Sequence, residues 1–128
     1  MATHDNNGGF KRLDLEGADL RGLDLSFLPL AMCRLSSAHL EGAKLLGAHL
    51  ERALLDYAHL EEAKLLGAHL ERALLDYAHL EGADLSKANL EGAQLEGTFF
   101  DSATNLNYIE LSNKEYGTAF LVDIHWGM

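Results

Sequence analysis

The stretch "AKLLGAHLERALLDYAHLEE" at 43–62 is followed at once by "AKLLGAHLERALLDYAHLEG" at 63–82, so 19 residues recur unchanged at an offset of twenty. A shorter period runs inside the repeated phrase and beyond it. From Leu13 to Ser102 the chain divides into eighteen consecutive blocks of five. The third position is Leu in seventeen blocks, from Leu15 to Leu95, and Phe100 in the last. The first position is Ala in thirteen, with Leu13, Leu23, Leu28, Cys33 and Thr98 as the exceptions.

A period of five fits neither regular element. Ala, Leu, Glu and Arg favour helix, but at about 100° per residue every fifth Leu steps round the cylinder and leaves no apolar stripe. On one long strand, five is odd and successive leucines fall on opposite faces. The pattern works if each block is a short extended side followed by a corner. Positions one and three then point inward together, and the middle position points out. The last position needs a residue tolerant of unusual backbone angles, and eight of the twelve glycines sit there, among them Gly42, Gly82 and Gly97. Four sides close a square coil of twenty residues, and coils stack at strand spacing, about 4.8 Å. The duplicated phrase is therefore one coil copied onto the next, an extension that quasi-one-dimensional folds absorb without loss of register.

The tandem blocks "ADLRG", "ADLSK" and "ANLEG" resemble the pentapeptide-repeat family over residues 13–103. The resemblance implies an all-β fold, a right-handed quadrilateral β-helix. It also implies no single biochemical activity, since a fold hosts functions only through particular sites. The expected core is four inward columns, including Leu20, Leu40, Leu60 and Leu80, with Leu45 and Leu65, Leu50 and Leu70, and Leu55 and Leu75. Cys33 takes an inward Ala slot and is read as a small buried hydrophobe.

The expected organisation has three parts. Residues 1–12, polar and Gly-rich, form a flexible lead-in with Phe10 as a lid. Residues 13–103 form the solenoid. Residues 104–128 form a C-terminal cap, with a short helical turn at 112–117 capped by Ser112 and a repeat resuming at 122–126, where Val122 and Ile124 point inward. Six of the ten aromatic residues lie in the last thirty and are expected to plug the final coil. Solenoid ends need such cover.

Net charge near −10 argues against nucleic acid or an anionic membrane surface as a direct partner. One cysteine and no signal-peptide-like start fit a reducing, cytoplasmic setting. No phosphate loop, catalytic triad spacing or buried carboxylate pair appears, so neither enzymatic activity nor a cofactor or small-molecule substrate is expected.

Function is expected on the outer faces. His39, His59 and His79 share one face beside Glu41, Glu61 and Glu81, and His49 and His69 share the opposite face beside Glu51 and Glu71. Stacked histidines with carboxylates offer ligands for a borderline metal ion, but the expected reading is a solvated polar ladder in which imidazoles offset the neighbouring glutamates, with metal binding third among the functional readings. Leu54, Leu74, Tyr57 and Tyr77 gather on one outer face, with Leu46 and Leu66 opposite. Contiguous apolar surface marks contacts. The leading expectation is a non-enzymatic interaction scaffold that binds a protein partner or its own copies. The family resemblance supplies an alternative, an acidic mimic of duplex DNA that binds a type II topoisomerase and protects it from quinolones. Leu rather than Phe in the central position, and the lack of an inserted loop before residue 103, depart from that group.

Overall fold

The computed structural model describes residues 2–4, 10–112 and 123–127 of the 128-residue chain. Its body is a stack of four-sided coils in which the middle-position residues from Asp14 to His79 pair in parallel with the residue twenty further on. Asp14 pairs with Arg34, Asp19 with His39, Asp24 with Lys44 and Pro29 with His49, and the four ladders continue upward from there.

Backbone chemistry explains the block. On a typical side, the His59 N–H donates down to the Ala38 carbonyl (2.9 Å) and the Leu60 N–H donates up to the His79 carbonyl (2.8 Å). The last-position Glu62 N–H donates up to Glu81 (2.9 Å), and the next Ala63 N–H closes the corner onto Leu60 (3.0 Å). Only the fourth-position N–H is left over, and the middle side chain takes it where it can. Asp14, Asp24, Asp84, Asn89 and Asn105 each accept it through Oδ1, at 3.0–3.1 Å. That bond is the physical content of the Asp/Asn preference in "ADL" and "ANL" blocks. The lone proline, Pro29, falls in the first coil, where a middle residue has no preceding coil to donate to.

Every last position from Gly17 to Gly97 has a positive φ, and nine of them are not glycine. With the closing bond from the following N–H, this is the signature of a type II turn. At one corner column Gly42 and Gly82 flank Glu62, which is held at φ 61°. A left-handed non-glycine residue costs about 1–2 kcal/mol, part of which glycine's larger unfolded-state entropy offsets. Glu62→Gly is therefore expected to raise stability by up to about 1 kcal/mol, read as a higher urea midpoint at unchanged slope.

The core is almost purely Leu and Ala. From Leu30 to Leu95 every inward Leu is buried, and the Ala slots, Cys33 among them, have no exposure. Burying each Leu contributes about 1.5–3 kcal/mol. Leu20 departs from expectation: it lies in the first coil with no coil beneath it and is only half-buried, packed against the core rather than within it.

The far end differs from the sequence reading in two respects. The solenoid does not stop at 103. After Phe100 one extra residue enters, so Asp84 pairs with Asn105 and Asn89 with Glu110, and Leu106, Ile109 and Leu111 continue the inner lining. Asp101 and Thr104 repair the disturbed corner. Asp101 Oδ1 accepts the N–H groups of Gly82, Ala103 and Thr104 at 3.0–3.1 Å, and Thr104 Oγ1 donates to the Leu80 carbonyl at 3.0 Å. These bonds, the one from Gly82 first, hold the Asp101 carboxyl below its ordinary range. A repeat does resume near the end, but two residues later in register than expected. Strand β3 (Phe99–Phe100) pairs in parallel with β4 (His125–Trp126), so His125 takes the outward middle position and Ile124 and Trp126 the flanking inward ones. Phe100 is buried under Trp126 (centroids 5.6 Å apart), whereas Phe99 points outward and Tyr108 is 82% exposed. Among the described residues the aromatic plug is thus narrower than expected, and Tyr116 and Phe120 lie outside them.

At the start, β1 (Ala2–His4) and β2 (Phe10–Arg12) pair antiparallel where the sequence suggests only a lead-in. The expected lid role of the Phe10 side chain and the helical turn at 112–117 lie outside the described residues.

Candidate functional site

Two surface ladders follow from the geometry of the middle position. On one face the rings of His39, His59, His79, Phe99 and His125 form a continuous stack, with centroid separations of 4.8, 5.3, 4.3 and 4.4 Å and interplanar angles of 3–15°. On the opposite face His49 and His69 stack at 4.7 Å. The spacing is set by the backbone rung, which places like rings on like. Phe99 continues the stack at the regular offset of twenty, whereas His125 extends it beyond what the sequence shows, because the 26-residue step between them is set by the irregular end.

The histidines make a different contact from Asp and Asn at this position. Each instead turns Nδ1 toward the carboxylate two residues on. His39–Glu41, His49–Glu51, His59–Glu61, His69–Glu71 and His79–Glu81 all lie at 3.3–3.5 Å, and Glu61 also comes within 3.8 Å of His79. These separations exceed the 2.7–2.9 Å of a good charge-assisted bond. One oxygen of each of Glu41, Glu51, Glu61, Glu71 and Glu81 is buried with no hydrogen-bond partner.

The two faces differ electrostatically. His49, Glu51, His69 and Glu71 line a groove of about 270 Å³ together with Arg52, Arg72, Asn89 and Glu91. Burial, followed by a hydrogen bond that the protonated Glu91 carboxyl donates to Glu110 and by the charges of Glu110 and Glu71, pushes the Glu91 carboxyl up from its ordinary value. The other histidine face has no arginine at its corners above Arg21, since Gly42, Glu62 and Gly82 stand where Arg52 and Arg72 stand opposite. Arg21 is engaged below, where its side chain bonds Asp19 at 2.8 Å and lowers that carboxyl to about 2.

The apolar candidates also come together. Tyr57 and Tyr77 stack at 5.2 Å, 55% and 37% exposed, beside Leu54 and Leu74 in an open groove of about 520 Å³ rimmed by Glu16, Arg34, Ser36, Asp56 and Asp76. The charge of Glu96, ahead of burial, pushes the Tyr77 phenol up from its ordinary value. Gly97 makes room for the Tyr77 ring, which lies where any Cβ at that position would be. Leu46 and Leu66 lie on the far side, and Leu66 is 37% exposed. Phe27 is a surface residue the sequence reading missed: 71% exposed, it leans over Gly47 as Tyr77 leans over Gly97. The shared signal was an aromatic residue twenty positions before a glycine in the last slot.

The profile "Pentapeptide repeats (8 copies)" matches residues 33–72 and 63–101, more than half of the chain. The chain belongs to the pentapeptide-repeat family. Its fold is the right-handed quadrilateral β-helix of that family. A pentapeptide-repeat protein from the thylakoid lumen of Arabidopsis thaliana is 31% identical, with a TM-score of 0.68 over 70% of this chain and 61% of that one. The present chain thus spans about three fifths of that relative. Rfr23, from the cyanobacterium Cyanothece 51142, is 28% identical with a TM-score of 0.56, covering 89% of this chain and 88% of that one. No curated protein sequence matches.

Proposed function

We propose that this pentapeptide-repeat protein is a non-enzymatic interaction scaffold that self-associates through the face bearing Leu54, Tyr57, Leu74 and Tyr77. The observation that carries the reading is the stacked tyrosine pair over an apolar groove. Tyrosine supplies large, rigid contact area, and interface cores are enriched in it. Among the described residues the outward polar groups repeat with the coil, which favours a contact surface over a reaction site. The Asp56, Asp76 and Arg34 rim carries charge of both signs, which suits a self-complementary contact between two copies.

Light scattering on the 14.0 kDa chain tests this directly. A mass of at least two copies is expected at micromolar concentration, falling to one copy in Tyr57→Ser/Tyr77→Ser with unchanged circular dichroism. A monomeric parent, or a variant of unaltered mass, would remove the self-association claim.

The acidic surface favours a second reading, a charge mimic of duplex DNA acting on a type II topoisomerase. Net charge near −10 supports it. A supercoiling assay with and without a quinolone separates the two, since the scaffold reading expects no protection.

A further inference from the structure

We infer that the histidine–glutamate ladder formed by Glu41, His59, Glu61, His79 and Glu81 is a binding site for a borderline divalent transition metal of the zinc class. Three observations converge. First, donor atoms of Glu41, His59 and Glu61 lie within 4.8 Å of one another, as do those of Glu61, His79 and Glu81, so Glu61 is shared by two adjoining ligand sets. Second, the Nδ1···O separations of 3.5 Å at His59–Glu61 and 3.3 Å at His79–Glu81 are long for hydrogen bonds. They match the about 3.4 Å expected between two ligand atoms at about 2.1 Å from a tetrahedral ion. Third, each carboxylate keeps a buried oxygen without a hydrogen-bond partner: Glu61 Oε2 and Glu81 Oε1, the oxygens that do not face His59 and His79, and Glu41 Oε1, which has only His39 Nδ1 near it, at 3.4 Å. A buried carboxylate oxygen without a donor is penalised, and a cation relieves that penalty.

The ligand types select the metal. Imidazole with carboxylate suits zinc and its neighbours, whereas magnesium and calcium prefer oxygen alone. The backbone rungs fix the ligand-bearing positions in advance, so binding orders only side chains already in place. The opposite set, His49, Glu51 and His69, has similar donors but lies beside Arg52 and Arg72, whose charge opposes a cation. The arginine-free face is therefore the tighter site.

Calorimetric titration of zinc ion alone into the full chain, at neutral pH in a non-chelating buffer, tests the assignment. Saturable binding is expected, accompanied by a rise in melting temperature. His59→Gln/His79→Gln should weaken it by about tenfold or more, on the scale of losses at other metal sites, while melting unchanged in the absence of zinc. His49→Gln/His69→Gln should leave the tighter event intact. An absence of saturable heat would overturn the site, as would equal binding by His59→Gln/His79→Gln or equally tight binding of calcium.

Discussion

Leu60→Ala is expected to lower the unfolding free energy by about 2–5 kcal/mol, the range for a large core side chain cut back where its surroundings cannot close in. Leu60 is 1% exposed, with Leu40 below it and Leu80 above it in the same column. Collapse into the gap would need one coil to approach the next. The rungs forbid it: Leu40 N–H bonds the His59 carbonyl at 2.7 Å and Leu60 N–H bonds the His79 carbonyl at 2.8 Å. The same change at Leu20 is expected to cost less, because that side chain is only half-buried at the open end of its column. Urea unfolding of both variants reads the difference. Equal midpoints for Leu60→Ala and the parent would remove Leu60 from the core.

Removing His59 alone should do more damage than any single core truncation. On a side, Ala58 and Leu60 point inward only because one outward residue separates them. Without it, one of the two must face solvent, and every later middle residue sits one place out of step with the coil beneath. The expected result is loss of the cooperative transition. Removing residues 43–62 as a unit should be tolerated, because residues 63–81 present the same side chains to the coil below. That variant should unfold cooperatively at a lower midpoint, its stability reduced by about one repeat and one interface. The chain itself shows what a one-residue change of register demands. The insertion after Phe100 falls at a corner, where Asp101 supplies a side-chain acceptor for three N–H groups and Thr104 caps the Leu80 carbonyl. No such repair exists in the middle of a side.

The solenoid between Leu13 and Phe100 was legible because its information is strictly periodic: Leu at the third position and a turn former at the fifth dictate which way every side chain points. The histidine ladders and the Leu54–Tyr57–Leu74–Tyr77 face followed from the same count. The C-terminal end was not legible, because its register is decided by one inserted residue. Nothing in "DSATNLNY" distinguishes an extra corner residue from a broken repeat until Asp101 is seen to take the place of a backbone acceptor. At 122–126 the local reading was also displaced, since His125 rather than Asp123 takes the outward middle position and Ile124 and Trp126 flank it. The count also puts Arg52 and Arg72 at the corner beside His49 and His69. That these side chains close on one groove with Asn89 and Glu91 needed the structure.

The most direct test of the architecture is the distance between residues 44 and 64, which pair in parallel on adjacent coils. Nitroxide labels on Lys44→Cys and Lys64→Cys, in a Cys33→Ala background, would report it by electron paramagnetic resonance in solution. Stacked coils place the two backbones about 4.8 Å apart and predict strong spin–spin broadening. Sharp, non-interacting spectra, as from a helix that separates twenty residues by about 30 Å, would contradict the square coil and every surface built on it.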